Sequence, residues 1–293
     1  CYSYEQLKEN IKKFKKNFNS FSPLICFSIK SNCNVNLIRE IKKFGLGADV
    51  VSKGELMVAI KAGINPKKIV FSGVGKSQDE IKLAINKNIL LINAESESEI
   101  DLIEKIAKVK NKKINIGIRL NPNIDSKSIR KISTGKKDDK FGLTEKNFLK
   151  IIKKYKTSKN LNIKCLSVHI GSQITSYKPY ERMLKVIRSV IKKSNYNFDF
   201  IDLGGGMGIK YNSDTKIFNY YKYNSIIKKF LIDHKSKIIF EPGRSIIGDT
   251  ALLLTKVVYI KKTNKINFVI LDAAMNDFMR PALYSAAHKI ISI

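Results

Sequence analysis

The feature that most constrains this chain is a regular alternation of short, apolar, β-rich runs with longer amphipathic stretches. Runs of strand character fall at 24–29, 47–51, 68–72, 89–93, 114–120, 163–169, 198–203 and 237–241. Helical periodicity fills the gaps at 34–44, 53–63, 77–87, 96–109, 144–157, 178–193 and 216–233, and another amphipathic stretch at 4–17 precedes the first run. Strand–helix repeats imply parallel strands joined by right-handed crossovers. Eight of them in roughly 250 residues predict an α/β fold, a closed (β/α)8 TIM-like barrel, with a doubly wound open sheet as the rival. After Gly248 the rhythm breaks. Residues 251–260 and 266–271 are apolar with only a short polar turn between them, which predicts two consecutive strands opening a β-rich unit. The expected domains are therefore 1–247, the barrel, and 248–293, the beginning of a C-terminal β domain. One long segment without periodicity, 121–143, interrupts the barrel, and loops of that length are uncommon away from active sites unless disordered.

Charge is the composition figure most open to misreading. The 55 Lys and Arg against 25 Asp and Glu give a formal +30, which alone would suggest a nucleic-acid partner. Only seven are arginine, however, and the lysines are spread over nearly every polar helix face, so no specific nucleic-acid partner is expected. No run approaches the roughly 18 apolar residues of a membrane span, and no secretory leader opens the chain, so a cytoplasmic protein without membrane contact is expected. The chain starts at Cys1 rather than methionine and stops just past an apolar run, so coding sequence is expected to be missing at both ends. Cys1, Cys26, Cys33 and Cys165 lack metal-ligand spacing and do not cluster with His169, His234 or His288. No metal is expected, and Cys26 and Cys165 read as reduced, buried thiols.

A parallel barrel carries its active site at the C-terminal ends of its strands. Chemically capable residues collect there: Lys30 on the first strand, Asp49 on the second, Ser72 and Gly73 on the third, Asn93 and Glu95 on the fourth. Arg119 follows on the fifth, His169 on the sixth, Gly204, Gly205 and Gly206 on the seventh and Glu241 on the eighth. Lys30 closes the run ICFSIK, where burial is expected to lower its pKa and free the amine to attack an aldehyde; alone it equally fits a snorkelling surface lysine. DLGGGMG at 202–208 offers backbone N–H groups without side-chain obstruction, suited to a phosphate or simply to a tight turn. Glu241 in EPGR can hold a pyridine nitrogen protonated, or can cap a turn. Arg280 and Tyr284, four residues apart, point one way and can grip a carboxylate if the segment turns helically there; the Arg-Pro pair equally fits ordinary loop punctuation.

Taken together, the motifs FSIKSN (27–32), ADVVSKGEL (48–56), IVFSGVGK (69–76), NAESESE (93–99), HIGSQI (169–174), DLGGGMGI (202–209), EPGRSIIG (241–248) and DAAMNDFMRPALY (272–284) carry a family resemblance. From about Pro23 to His288 the chain resembles the fold-type III pyridoxal-phosphate-dependent decarboxylases. HIGSQI and MNDFMRPALY are similar to the branch acting on meso-2,6-diaminopimelate rather than those acting on ornithine or arginine. The resemblance implies pyridoxal 5'-phosphate as cofactor, with Lys30 its covalent anchor, His169 stacked on the ring and Glu241 bonded to the pyridine nitrogen. It assigns the phosphate to Ser172, Gly205, Gly206, Gly243 and Arg244, and makes Asp49, Glu55 and Arg119 supporting polar groups. Arg244, Arg280 and Tyr284 would bind the substrate's distal carboxylate. The implied reaction is decarboxylation of meso-2,6-diaminopimelate to L-lysine and CO2, in lysine biosynthesis.

The chain departs from that pattern in two places. None of its four cysteines matches the family's proton-donating cysteine, which belongs to a Cys-Glu-Ser-x-Asp motif beyond this chain. That cysteine comes from the partner subunit, so the resemblance implies a homodimer with shared active sites. In the long segment, ISTG (132–135) and KFG (140–142) match but the usual upstream Thr-His is absent. Alternative readings are an ornithine-, arginine- or carboxynorspermidine-type decarboxylase, against which Arg280 and Tyr284 argue, and a non-catalytic binding paralogue, against which Lys30, His169 and Glu241 argue.

Overall fold

A computed structural model describes residues 1–126, 135, 139–211, 215–286 and 288–293. The eight strands form: β1 Leu24–Ser28, β2 Gly47–Val50, β3 Ile69–Phe71, β4 Leu91–Ala94, β5 Ile114–Arg119, β6 Leu161–Ser167, β7 Phe200–Asp202 and β8 Lys237–Phe240. They run parallel in sequential order and close where β1 meets β8, Leu24 opposite Ile239 and Ile25 opposite Phe240. The fold is the closed barrel, not the open sheet. Around it lie α1 Tyr4–Phe18, α2 Val35–Lys43, α3 Lys53–Lys61, α4 Gln78–Asn86, α5 Glu97–Val109, α6 Glu145–Tyr155, α7 Lys178–Ser194, α8 Tyr220–Ile232 and the single turn α9 Arg244–Ile247.

Several helices begin one residue later than their periodicity predicts, because the first predicted residue is the cap. The side chains of Asn34, Ser77, Ser96 and Thr144 accept the N–H groups of Asn36, Glu80, Glu99 and Asn147, each satisfying a donor that has no partner within its helix. The largest discrepancy is α8, predicted from 216. Asn219 accepts the N–H of Lys222 and fixes the start at Tyr220.

The two-residue period of a strand decides what lies inside the barrel. On β1, Ile25 and Phe27, then Ile29, belong to the large core between sheet and helices, whereas Cys26 belongs to a separate apolar plug with Val70, Leu91, Cys165 and Ile239. Two residues further along, the same inward rows carry Ser28, Ser72, Asn93, Ser167 and Glu241. Two more residues bring Lys30, Glu95 and His169. Sequence alternation thus builds an apolar floor beneath a polar mouth. Gly117 belongs to this design: a Cβ there would stand 1.9 Å from Asn93 Oδ1 inside the barrel.

Beyond α9 the chain folds into an antiparallel pair, β9 Val257–Lys262 and β10 Asn267–Leu271, followed by the short helix α10 Arg280–Tyr284. The first of these strands starts six residues later than predicted. Ala251 pairs instead with Tyr2, and the Leu252 N–H donates to the Cys1 carbonyl, so 251–252 ties down the N-terminus. Every residue of β9 and β10 is exposed, including Val257, Tyr259, Ile260, Phe268 and Ile270. Among the described residues no helix is long and apolar enough to cross a membrane.

Candidate active site

The floor of the mouth is a buried hydrogen-bonded layer. Asn93 Nδ2 donates to Asp202 Oδ2 at 3.1 Å and lies 3.3 Å from Ser72 Oγ, and the Gly204 N–H donates to Asp202 Oδ1 at 2.9 Å. Ser72 Oγ donates to Glu241 Oε1 at 3.3 Å, and Ser28 Oγ donates to Asp49 Oδ2 at 2.8 Å. Burial pushes Asp202 up to about 6, Asp49 adding to the rise. Burial, Asp202 and Asp49 push Glu241 well above the usual carboxylate range, and the two acids share a hydrogen bond. Carboxylates this close disfavour one another's ionised forms, and Glu241 is the more strongly affected of the two.

Lys30 lies in the turn Ile29–Ser31 that ends β1, with Nζ 3.6 Å from Asp49 Oδ2. Its side chain keeps 52% of its accessible surface, opening into the mouth, while Asp49 beneath is fully enclosed. The expectation of a lowered lysine pKa is corrected here. Burial does pull the ammonium down, but the charges of Asp49 and Glu241, helped by Glu55 and opposed by Arg119, carry it above the ordinary lysine value. Glu55 also accepts the Val51 N–H at 2.9 Å, and burial raises its own pKa.

His169 follows β6 and accepts the Gly205 N–H on Nδ1 at 3.2 Å, which leaves Nε2 to carry the hydrogen. Burial, with the cations Lys30 and Arg119, holds the imidazole well below its usual pKa, so it is neutral. The turns after β6 and β7 are sewn together. The Ile174 N–H donates to Gly206 O and the Gly208 N–H to Ile174 O, while Gln173, at φ +59°, exchanges hydrogen bonds with the backbone of Ile209. Tyr180 of α7 donates to Gly205 O at 2.9 Å. Among the described residues, no acceptor takes the N–H groups of Gly206, Gly243 or Arg244.

Arg119 is held within the protein. Nη1 donates to Glu95 Oε1 at 2.9 Å, with side chains 8% and 2% exposed, and the guanidinium lies 4.8 Å from the Phe141 ring centroid. Glu95 also accepts the N–H groups of Gly73 and Gly142, so it ties the end of the long segment to the barrel rim. Ile132–Thr134 of that segment lie outside the described residues. Beside this pair, Lys76 forms a second buried ion pair with Glu99 at 2.7 Å and donates to the carbonyls of Gly73 and Asn93.

At the outer edge, Arg244 Nη2 donates to Ser172 Oγ at 3.3 Å and Nη1 to the hydroxyl of Tyr211. Arg280 Nη2 donates to the same hydroxyl at 3.3 Å and lies 5.9 Å from the Tyr284 ring centroid, on α10 as the four-residue spacing predicts. Tyr211, Glu95, Asp202 and the Lys76–Glu99 pair are the residues to which sequence reasoning assigned no role. For Lys76 the available signal was a lysine inside an otherwise apolar strand-end motif, IVFSGVGK. Tyr211 carried none beyond following the glycine-rich run.

A parallel barrel whose mouth combines an amine, a buried carboxyl, a neutral imidazole and free backbone donors is a pyridoxal-binding barrel, and comparison with known proteins agrees. Residues 4–248 match the family described as pyridoxal-dependent decarboxylase, pyridoxal binding domain. The diaminopimelate decarboxylase of Helicobacter pylori strain J99 is 42% identical over 293 residues, 99% of this chain and 72% of that protein. That of Aquifex aeolicus is 39% identical over 296 residues, 100% of this chain and 70% of that protein. The crystal structure of the H. pylori diaminopimelate decarboxylase complexed with L-lysine superposes with a TM-score of 0.92 at 40% identity, covering 98% of this chain and 73% of that one. The chain belongs to the pyridoxal-dependent decarboxylases, in their diaminopimelate decarboxylase branch.

The cofactor of that family, pyridoxal 5'-phosphate, fits the residues present. Lys30 offers an amine, Glu241 a carboxyl for a ring nitrogen, His169 a flat neutral face, and Ser172 with the free N–H groups donors for a phosphate. Among the described residues, three buried atoms at the site, Asp49 Oδ1, Asn93 Oδ1 and Arg244 Nε, have no hydrogen-bond partner, as polar atoms facing a ligand do. Among the described residues no three His, Cys, Asp or Glu side chains group to hold a metal.

Proposed function

We propose that this protein decarboxylates meso-2,6-diaminopimelate to L-lysine and carbon dioxide, with the residues above as its machinery. The observation that carries the reading is Lys30 above Asp49, on a barrel mouth that also presents Glu241, His169 and two arginines on one hydroxyl. When bound, pyridoxal phosphate supplies an electron sink for the electron pair left as carbon dioxide departs. Lys30 is the amine that anchors it, and Asp49 holds that amine in place and takes part of its positive charge. Glu241, whose ionised form its neighbours disfavour, would hydrogen-bond the ring nitrogen. Neutral His169, fixed by the Gly205 N–H, packs on the ring face without adding charge. Ser172, Gly205, Gly206, Gly243 and Arg244 surround the phosphate, while Glu55 and Arg119 support Lys30 and the ring through charge and position. Arg244, Arg280 and Tyr284 bind the substrate's distal carboxylate; a substrate without it leaves two cations unpaired.

The proposal includes residues 1–247 as the cofactor-binding domain and 248–293 as the opening of a β-rich second one, in a cytoplasmic homodimer with shared active sites. The test is borohydride reduction of the cofactor-loaded protein, followed by peptide mapping, beside Lys30→Ala. A pyridoxyl group on Lys30, together with lysine and carbon dioxide formed from meso-2,6-diaminopimelate but not from ornithine or arginine, is the expected result. Attachment elsewhere would remove Lys30 from its role, and equal turnover of ornithine would remove the carboxylate clamp.

A further inference from the structure

Tyr211 brings together three distant parts of the chain. Its hydroxyl oxygen accepts hydrogen bonds from Arg244, on the turn after β8, and from Arg280, at the start of α10. Both guanidiniums also lie near its ring, 5.7 and 5.6 Å from the centroid. Two arginines, which stay charged at any working pH, repel each other unless something electron-rich stands between them. A phenol does this without neutralising them. A carboxylate in its place would satisfy both guanidiniums and compete with any anionic ligand. The phenol oxygen has two lone pairs, both committed here to guanidinium donors, so its own hydrogen is left to donate. Among the described residues it donates to none.

We propose that Tyr211 is a specificity-determining residue: it positions Arg244 and Arg280 on the substrate's distal carboxylate and donates its hydroxyl hydrogen to that carboxylate. This rests on the arginine roles proposed above, and the test separates the two claims. Tyr211→Phe keeps the ring beneath the guanidiniums and removes only the hydroxyl. In the intact holoenzyme, KM for meso-2,6-diaminopimelate should rise about ten- to a hundredfold, the worth of a hydrogen bond to a charged group, with kcat within about twofold. Calorimetric affinity for L-lysine should fall by the same factor. Affinity for 1,5-diaminopentane, the same carbon chain without a carboxylate, should not change. If Tyr211→Phe leaves KM and lysine affinity alone while Arg280→Ala destroys both, the arginine reading stands and the role of Tyr211 is overturned. If neither variant moves them, the distal-carboxylate reading falls and takes this inference with it. Equal weakening of lysine and 1,5-diaminopentane would mark Tyr211 as merely structural, and would also overturn the proposal.

Discussion

Replacing Asp202 with Asn tests the charge arithmetic of the barrel interior. Arg119 is matched by Glu95, so three buried acids, Asp49, Asp202 and Glu241, face the single cation Lys30. Burial pushes Asp202 from 3.8 to about 6 and Glu241 well above its usual range. Between those two values the folded protein holds more protons than the unfolded chain. The stability Asp202 contributes is therefore fully present below its unfolded pKa and is lost as pH rises through about 6. A gap of that size corresponds to about 3 kcal/mol. Asn keeps an oxygen for the Gly204 N–H and offers Glu241 an N–H in place of the shared proton; it gives up the hydrogen bond from Asn93 Nδ2, a loss that does not vary with pH, and removes the titration. Urea denaturation of the cofactor-free protein, from about pH 4 to about pH 7, should show wild type losing about 2 kcal/mol relative to the variant across that window. His169 acts in the opposite sense. Its depressed pKa gives stability present above its unfolded value and lost as pH falls, but this is common to both proteins and cancels in the difference. Parallel profiles would refute the reasoning, since they require Asp202 to be ionised throughout.

Other perturbations separate residues that build the mouth from residues that meet a ligand. Glu95→Ala strands the Arg119 guanidinium and the N–H groups of Gly73 and Gly142, and should cost about 3–5 kcal/mol in chemical denaturation. Adding Arg119→Ala should then cost much less than it does alone, and strictly additive costs would show that the two do not act as a pair. Gly206→Ala meets both a φ of +91° and a Cβ 2.2 Å from the Gly171 carbonyl, so it should lower stability by more than about 1 kcal/mol and weaken cofactor binding in an absorbance titration. Unchanged cofactor affinity in a folded Gly206→Ala protein would count against the turn after β7 as part of the cofactor site.

The barrel was legible because one physical rule, the two-residue period of a strand, determines both its core and its mouth. ICFSIK reads as alternating outward and inward residues, and the inward row Cys26, Ser28, Lys30 runs from plug to floor to functional amine without any tertiary information. The same reading brings Asn93 and Glu95 up β4 and Ser167 and His169 up β6. What failed was finer. Asn219 delayed the start of α8 relative to its helical periodicity, because a side-chain cap outweighs amphipathic pattern. Residues 251–254 stayed out of β9 although they are apolar, and 251–252 pair with the N-terminus.

The site's electrostatics were not legible, and Lys30 shows why. Its run in the sequence contains no acid, so burial alone suggested a depressed pKa. Asp49, Glu55 and Glu241 come from β2, α3 and β8, and only barrel closure brings their charges onto the amine. The same closure forces Asp202 and Glu241 together, and so disfavours the ionised form of Glu241. Tyr211 is a parallel case in reverse. Its function depends on two arginines, 33 and 69 residues away, meeting one oxygen, and no local pattern encodes that meeting. Strand ends can therefore be nominated from sequence, because alternation is local. Proton states and ligand clamps are sums over elements that meet only in the folded barrel.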